Sequence, residues 1–158
     1  PRLNDNYDND WCKWGIMMSK ALNHGCRTFT GWNLLLDETG GPNVGPFFCG
    51  GLATLNSQTE AITYSGQYKA FGHFSSFMKR DAKIYPSNVA GDNPKMSGYP
   101  NTGSPLEVCA AKNPDSSLVL VAVNPNKTKR QLQCFYGGKW WYTELMPDSV
   151  STVVFENS

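Results

Sequence analysis

The chain has 158 residues, 40% of them hydrophobic and 13% aromatic, with 17% charged and a formal net charge of +1. That length supports a unit with a real hydrophobic core. The near-neutral balance, with no basic run longer than Lys127–Arg130, argues against nucleic acid or an anionic membrane as partner. No apolar stretch reaches the roughly 18 residues a membrane-crossing helix needs, so the chain is expected not to span a bilayer.

Residues 1 to 9 are rich in Asn and Asp and read as a frayed end or a loop ordered by contact. Asp10 is a candidate cap for a helix from Trp11 to about Asn23, with Gly25 as its stop. Trp11, Trp14, Met18, Ala21 and Leu22 recur at helical spacing, widened by Ile16 and Met17, and form one apolar face that reads as core. Cys26 to Leu36 reads as a buried strand whose apolar part, Phe29 to Leu36, contains Trp32. It breaks into an acidic, glycine-rich loop, Asp37 to Gly45, whose Gly40-Gly41-Pro42 core continues neither strand nor helix.

Pro46 to Leu55 is a loop ending in a short strand, Leu52–Leu55, and Gln58 to Ser65 a turn with an extended piece. A helix follows over Gln67 to Lys79, with Tyr68, Phe71, Phe74, Ser75 and Met78 on one side. His73 lies inside it among aromatics, with no nucleophile near it in sequence, and reads as a hydrogen-bonded structural histidine.

From Asp81 the pattern changes. A strand at Ala82–Tyr85 and a long loop lead to short strands at regular spacing: Leu106–Ala111, Ser117–Asn124, Lys129–Tyr136, Lys139–Leu145 and Val150–Phe155. In the second of these both alternating sets are apolar, as in a central strand, and Gly137-Gly138 is a hairpin signal. These strands predict an antiparallel β-sandwich. Trp140 and Trp141 are adjacent, so one faces in and the other out. The outward one is expected to cover a domain contact rather than bind sugar.

The five cysteines are Cys12, Cys26, Cys49, Cys109 and Cys134, with no C-x-x-C pair and only His24 and His73 to help them. Neither a metal nor a cofactor is expected. The odd count leaves one thiol free or bridged to another chain. Cys26 and Cys49 flank the strand and its loop and are a candidate disulfide. The triplet Asn126-Lys127-Thr128 is a glycosylation sequon in a polar turn. A start at Pro1 reads as a cleaved product or an artificial boundary. Sequon, cysteines and start together favour a secreted or lysosomal protein.

In barrels of alternating strands and helices, ligands meet residues at strand C-termini and on the loops that follow. Trp32 and the Asp37–Asn43 loop are therefore the best candidate site. Trp32-Asn33-Leu34-Leu35-Leu36-Asp37-Glu38 followed by Gly40-Gly41-Pro42-Asn43 resembles the signature at the eighth barrel strand of the glucosylceramidase-like glycoside hydrolases, family 30. Ile62-Thr63-Tyr64-Ser65-Gly66-Gln67-Tyr68, leading to Gly72-His73-Phe74-Ser75-Ser76-Phe77, resembles that family's last barrel helix.

The resemblance implies a fold of α/β plus all-β type: the last βα units of a (β/α)8 barrel over residues 1–81, then part of an antiparallel β-sandwich over residues 82–158. One βα unit cannot close a barrel, and the apolar faces of the two helices are expected to need a sheet this chain does not supply. Completion by a larger N-terminal chain of the same precursor is the implied arrangement.

Retaining glycosidases use two carboxyl groups roughly 5 Å apart. The resemblance places them on strands 4 and 7, the first in an Asn-Glu pair. This chain has no Asn-Glu dipeptide, and its glutamates are Glu38, Glu60, Glu107, Glu144 and Glu156. No catalytic residue is therefore expected in it. Trp32 matches the family tryptophan that packs on the sugar, and Asp37, Gly41 and Asn43 match the rim motif. Phe47 or Phe48 is a candidate for the acceptor side, with a glycan or glycolipid as substrate. Two functions follow: the C-terminal chain of a β-glycosidase, or a non-catalytic carbohydrate-binding or storage protein on the same scaffold.

Overall fold

A computed structural model of the chain describes residues 7–42, 49–90 and 105–156. Helix α1 spans Trp11–Asn23. Asp10 stands at its N-terminus, but its carboxylate accepts from the Trp14 indole at 2.9 Å rather than capping the backbone. The other end closes as expected at Gly25 (φ 89°). The Gly25 N–H reaches the Leu22 carbonyl and the Cys26 N–H the Ala21 carbonyl, a Schellman closure that a left-handed glycine permits.

The buried stripe of α1 is Cys12, Gly15, Met18 and Ser19, not the stripe centred on Trp11 and Trp14 that spacing predicts. The tryptophans flank it. The Trp11 indole donates to the Asp148 carbonyl at 2.7 Å, and the Lys69 ammonium sits 4.9 Å over its ring. Small residues line the stripe because the helix lies close on a sheet. A Cβ on Gly15 would stand 3.0 Å from a Val123 methyl and 3.1 Å from a Val150 methyl.

That sheet belongs to this same chain. Strands β4 (Lys83–Tyr85), β5 (Glu107–Lys112), β6 (Leu118–Asn124) and β9 (Ser149–Phe155) form an antiparallel sheet in the order β4-β5-β6-β9. Central strand β6 is apolar on both faces, as its sequence requires. On one face Val119 and Val121, with Cys109, pack against Met18 of α1 and Phe74 of helix α2 (Gly66–Ser75). On the other, Leu120 and Ala122, with Val108 and Phe155, pack against Leu132 and Leu145.

Those two leucines come from the hairpin β7 (Arg130–Tyr136) and β8 (Lys139–Leu145), turned by Gly137 and Gly138 at φ 61° and 75°. The layers therefore run helices, sheet, hairpin. The expectation that both helices lack a sheet is corrected here: the β-rich half supplies it.

Helix α2 is shorter than its apolar pattern, ending at Ser75, with a further turn to Met78 held by the Met78 N–H on the Phe74 carbonyl at 2.8 Å. Ser65 caps it, its hydroxyl accepting from the Tyr68 N–H at 3.1 Å. A third, small sheet is local: β1 (Leu35–Asp37) pairs parallel with β2 (Ala53–Leu55), which pairs antiparallel with β3 (Ile62–Tyr64). The long strand expected over Cys26–Leu36 is thus only three residues of ladder, and its in-plane neighbour is β2.

All five cysteines are free thiols, so the disulfide expected at Cys26 and Cys49 is not formed. Cys12 and Cys109 are buried, and burial pushes their thiols up, Cys12 to about 12 and Cys109 to about 11. Among the described residues no helix is long and apolar enough to cross a membrane.

Candidate functional site

The candidate site is built on the extended run from Gly31 to Pro42. Its backbone lies beside β2 through the Leu52 N–H on the Asn33 carbonyl (2.8 Å) and the Ala53 N–H on the Leu34 carbonyl (3.0 Å). The Trp32–Asn33 and Gly41–Pro42 peptides are cis. Behind the run, Gly31 faces the fully buried side chain of Gln67. In front of it, Trp32 is 80% exposed and Leu34 77% exposed. The apolar run predicted to be buried is therefore open on its front, with only Leu36 deeply covered. Leu35 and Tyr64, matched through Ala53 in the ladder, and Ile62 beside them are also exposed. Tyr68 stacks on Tyr64 with ring centroids 4.4 Å apart. These residues are the exposed apolar side chains of the region that carries Trp32.

Asp37, at the end of β1, organises its own loop. One carboxylate oxygen, Oδ1, accepts from the Thr39 N–H (2.9 Å), the Thr39 hydroxyl (2.7 Å) and the Gly41 N–H (2.8 Å). The Asp37 N–H returns to the Gly41 carbonyl at 2.7 Å. Donation by the Thr39 hydroxyl, followed by the Gly41 N–H, holds its carboxyl below the usual carboxylate range. Both glycines are required: Gly40 sits at φ 83°, and a Cβ on Gly41 would lie 2.9 Å from the Asp37 carboxylate.

Glu38 clamps this loop to the next turn, accepting from the Ser57 hydroxyl and from the Ser57 N–H at 2.8 Å. Those bonds, the hydroxyl's first, lower its carboxyl also. No hydrogen bond or ring contact joins Trp32 to Asp37, and Asp37 acts here as a loop tie. Asn43 and Phe47, the other expected contacts, lie outside the described residues.

The remaining candidates fall elsewhere. The His73 ring Nδ1 is 2.9 Å from the Thr152 hydroxyl on β9, and that hydroxyl donates to the His73 carbonyl at 3.2 Å. With that hydroxyl donating to the carbonyl, Nδ1 is the donor to Thr152, and burial lowers the ring's pKa, favouring a neutral, structural histidine. Asn126 sits in the turn expected of it, but its side chain is turned inward and only 7% exposed. Its amide nitrogen donates to Asn124 Oδ1 at 3.0 Å. The glycan expected there is at odds with this burial. Glu107 lies on β5, and Glu144 is bridged to Lys129 at 2.7 Å.

Sequence reasoning missed the Glu38–Ser57 clamp, a contact 19 residues apart that no local spacing reveals. It also missed the open apolar front, since an apolar run carries no record of whether its cover lies in the same chain.

The architecture recurs in larger solved structures. It matches SrfJ from Salmonella typhimurium with a TM-score of 0.80 at 25% identity, covering 94% of this chain and 31% of that one. The endo-β1,6-glucanase BT3312 matches with a TM-score of 0.77 at 22% identity, over 94% of this chain and 31% of that one. The catalytic domain of a GH30 xylanase C from Talaromyces cellulolyticus matches with a TM-score of 0.67 at 21% identity, over 96% of this chain and 38% of that one. The last two are likenesses of fold.

In sequence, 71 residues are 34% identical to "Putative glucosylceramidase 3" of Caenorhabditis elegans, 45% of this chain and 14% of that protein. No family model matches. The sequence match and the folds together support a relationship to the glucosylceramidase-like glycoside hydrolases of family 30. The chain spans about a third of the solved structures it matches and a seventh of the curated relative.

Proposed function

We propose that this chain is the C-terminal part of a secreted or lysosomal retaining β-glycosidase. In this reading Trp32 packs on the sugar beside the cleaved bond, and the two catalytic glutamates come from further polypeptide, a larger N-terminal chain of the same precursor. The observation that carries it is the open front around Trp32. An indole 80% exposed, on a run resembling a barrel-strand signature of the family, would meet two needs at once. Its face accepts the axial C–H groups of a pyranose, and its N–H is free to donate to a hydroxyl. The exposed leucines and tyrosines of the same region support a covering partner there, since exposed apolar clusters mark interaction sites.

On this reading the carboxyl pair comes from outside the described residues. Retaining hydrolysis needs an acid/base and a nucleophile roughly 5 Å apart, and Glu38 is tied to Ser57 while Glu144 is tied to Lys129. The covering polypeptide would bring the carboxyl pair to Trp32. Native mass measurement with N-terminal sequencing of every chain in the purified protein tests this. An additional polypeptide region with two such glutamates, and turnover of an aryl β-glycoside, are expected. Purified material in which no polypeptide carries such a pair, and which binds sugar without cleaving it, would replace the hydrolase with a binding protein.

A further inference from the structure

The hairpin β7–β8 has two faces with different fates. Its inner residues Leu132 and Leu145 are buried on the sheet, and Trp141 meets Phe155 edge-on at 5.1 Å. Its outer face consists of three cross-strand pairs: Phe135 with Trp140, Gln133 with Tyr142, and Gln131 with Glu144. Phe135, Trp140 and Tyr142 are each 60–61% exposed. The Phe135 and Trp140 rings lie 5.2 Å apart and tilted. The outward tryptophan expected to cover a domain contact therefore covers none among the described residues. Trp141, the inward one, makes the contact.

We propose that this outer face binds a neutral polysaccharide, as a site separate from Trp32. Among the described residues no ring or hydrogen-bond contact from outside the hairpin reaches Phe135, Trp140 or Tyr142. The layer order puts this face on the side of the sheet opposite the two helices, and a strand extending the hairpin would pair along an edge and leave the face open. Its chemistry is that of sugar recognition. Aromatic rings offer apolar faces to pyranose C–H groups, and the Gln131 and Gln133 amides each bring donors and an acceptor for hydroxyls. From Trp140 to Glu144 the row runs about 14 Å at strand rise, an extended platform rather than a pocket.

Charge decides between this occupant and a lipid surface. A membrane-binding face combines aliphatic residues with a cationic rim. Among the described residues the cation on the outer parity of the hairpin, Lys129, is bridged to Glu144 at 2.7 Å, and Arg130 and Lys139 stand at the opposite parity, so the row itself carries no unpaired cation. The inference does not depend on hydrolysis, because a platform can hold a polymer whether or not Trp32 serves a cleavage site.

The test is co-sedimentation of the whole protein with insoluble β-glucan, xylan and cellulose, and with phosphatidylcholine and phosphatidylserine vesicles. The wild type should be retained on at least one polysaccharide and on neither vesicle. Trp140→Ala and Tyr142→Ala should each weaken retention from a few-fold to about tenfold, as stacking contacts of this size do, and the pair should abolish it. Gln133→Ala, which removes no ring, should weaken it less. Melting temperature and binding of a small soluble glycoside should stay unchanged in all three variants. No retention on any polysaccharide, retention on vesicles, or unaltered retention of the double variant would each overturn the proposal. Loss of polymer retention in Trp32→Ala with none in Trp140→Ala would assign the binding to the first site instead.

Discussion

Gly15→Ala tests the close seating of α1 on the sheet, and two opposing terms decide its sign. Alanine in a helix interior is favoured over glycine by about 0.8–1.0 kcal/mol. Against this, the new methyl would stand 3.0 Å from Val123 and 3.1 Å from Val150, inside the roughly 3.5–4.0 Å at which carbon contacts turn favourable. Val123 cannot yield easily, being fully buried on β6 with β5 and β9 paired on either side. If α1 lifts instead, Met18 loosens against Val119 and Val121. Overpacking of this kind costs about 1–3 kcal/mol, so the net expectation is a loss of about 1 kcal/mol, measured as a lower urea midpoint at constant slope. A double-mutant cycle sharpens it: with Val123→Ala present, Gly15→Ala should cost at least about 1 kcal/mol less than alone. A stabilising Gly15→Ala, or a cycle with no coupling, would refute the close packing.

Trp32→Ala should lower sugar binding and turnover while leaving the melting temperature in place, because its ring is exposed; unchanged kinetics would remove it from the site. His73 is held neutral by burial, with its pKa below the ordinary value near 6.5. The unfolded chain then binds the extra proton first, so stability should fall as pH drops through about 6.5 and stop falling below the folded-state value. His73→Asn, which preserves a donor to Thr152, should flatten that part of the urea-midpoint profile; an equal slope in the variant would assign it elsewhere. Under native conditions a thiol reagent should modify exposed Cys26 while Cys12 and Cys109, buried and with raised pKa, stay silent until urea is added. Equal native labelling of all three would contradict the packing of α1 on β5 and β6.

The β-rich half was legible almost residue by residue because its signals are local. Alternation set β5 to β9, Gly137-Gly138 set the hairpin, and the doubly apolar β6 announced its central place. Helix α1 was legible in extent but not in orientation. Its C-terminal bound rests on local chemistry at Gly25, whereas its buried stripe runs through Cys12, Gly15 and Ser19. Close approach to a sheet selects for smallness, and a reading that follows large apolar residues finds the flanking tryptophans. The Asn124 hub was equally hidden: this fully buried amide donates to the carbonyls of Thr128, Leu145 and Met146 and accepts from Asn126. No spacing rule anticipates it.

The site was half legible for a related reason. Residues 32–43 were recognisable as a unit, but the three bonds that Asp37 Oδ1 takes from Thr39 and Gly41, which shape the loop, were not. The two helices, expected to need a sheet from elsewhere, pack on the sheet of this chain through Met18 and Phe74, and much of the run expected to be buried is exposed. The need for cover is thereby moved from the helices to Trp32, Leu34, Leu35, Ile62 and Tyr64. On the proposed reading, that is also where the missing carboxyl groups must arrive. A segment that docked on the helices would leave the indole without chemistry, whereas one that covers these five residues brings its side chains to the sugar face of Trp32.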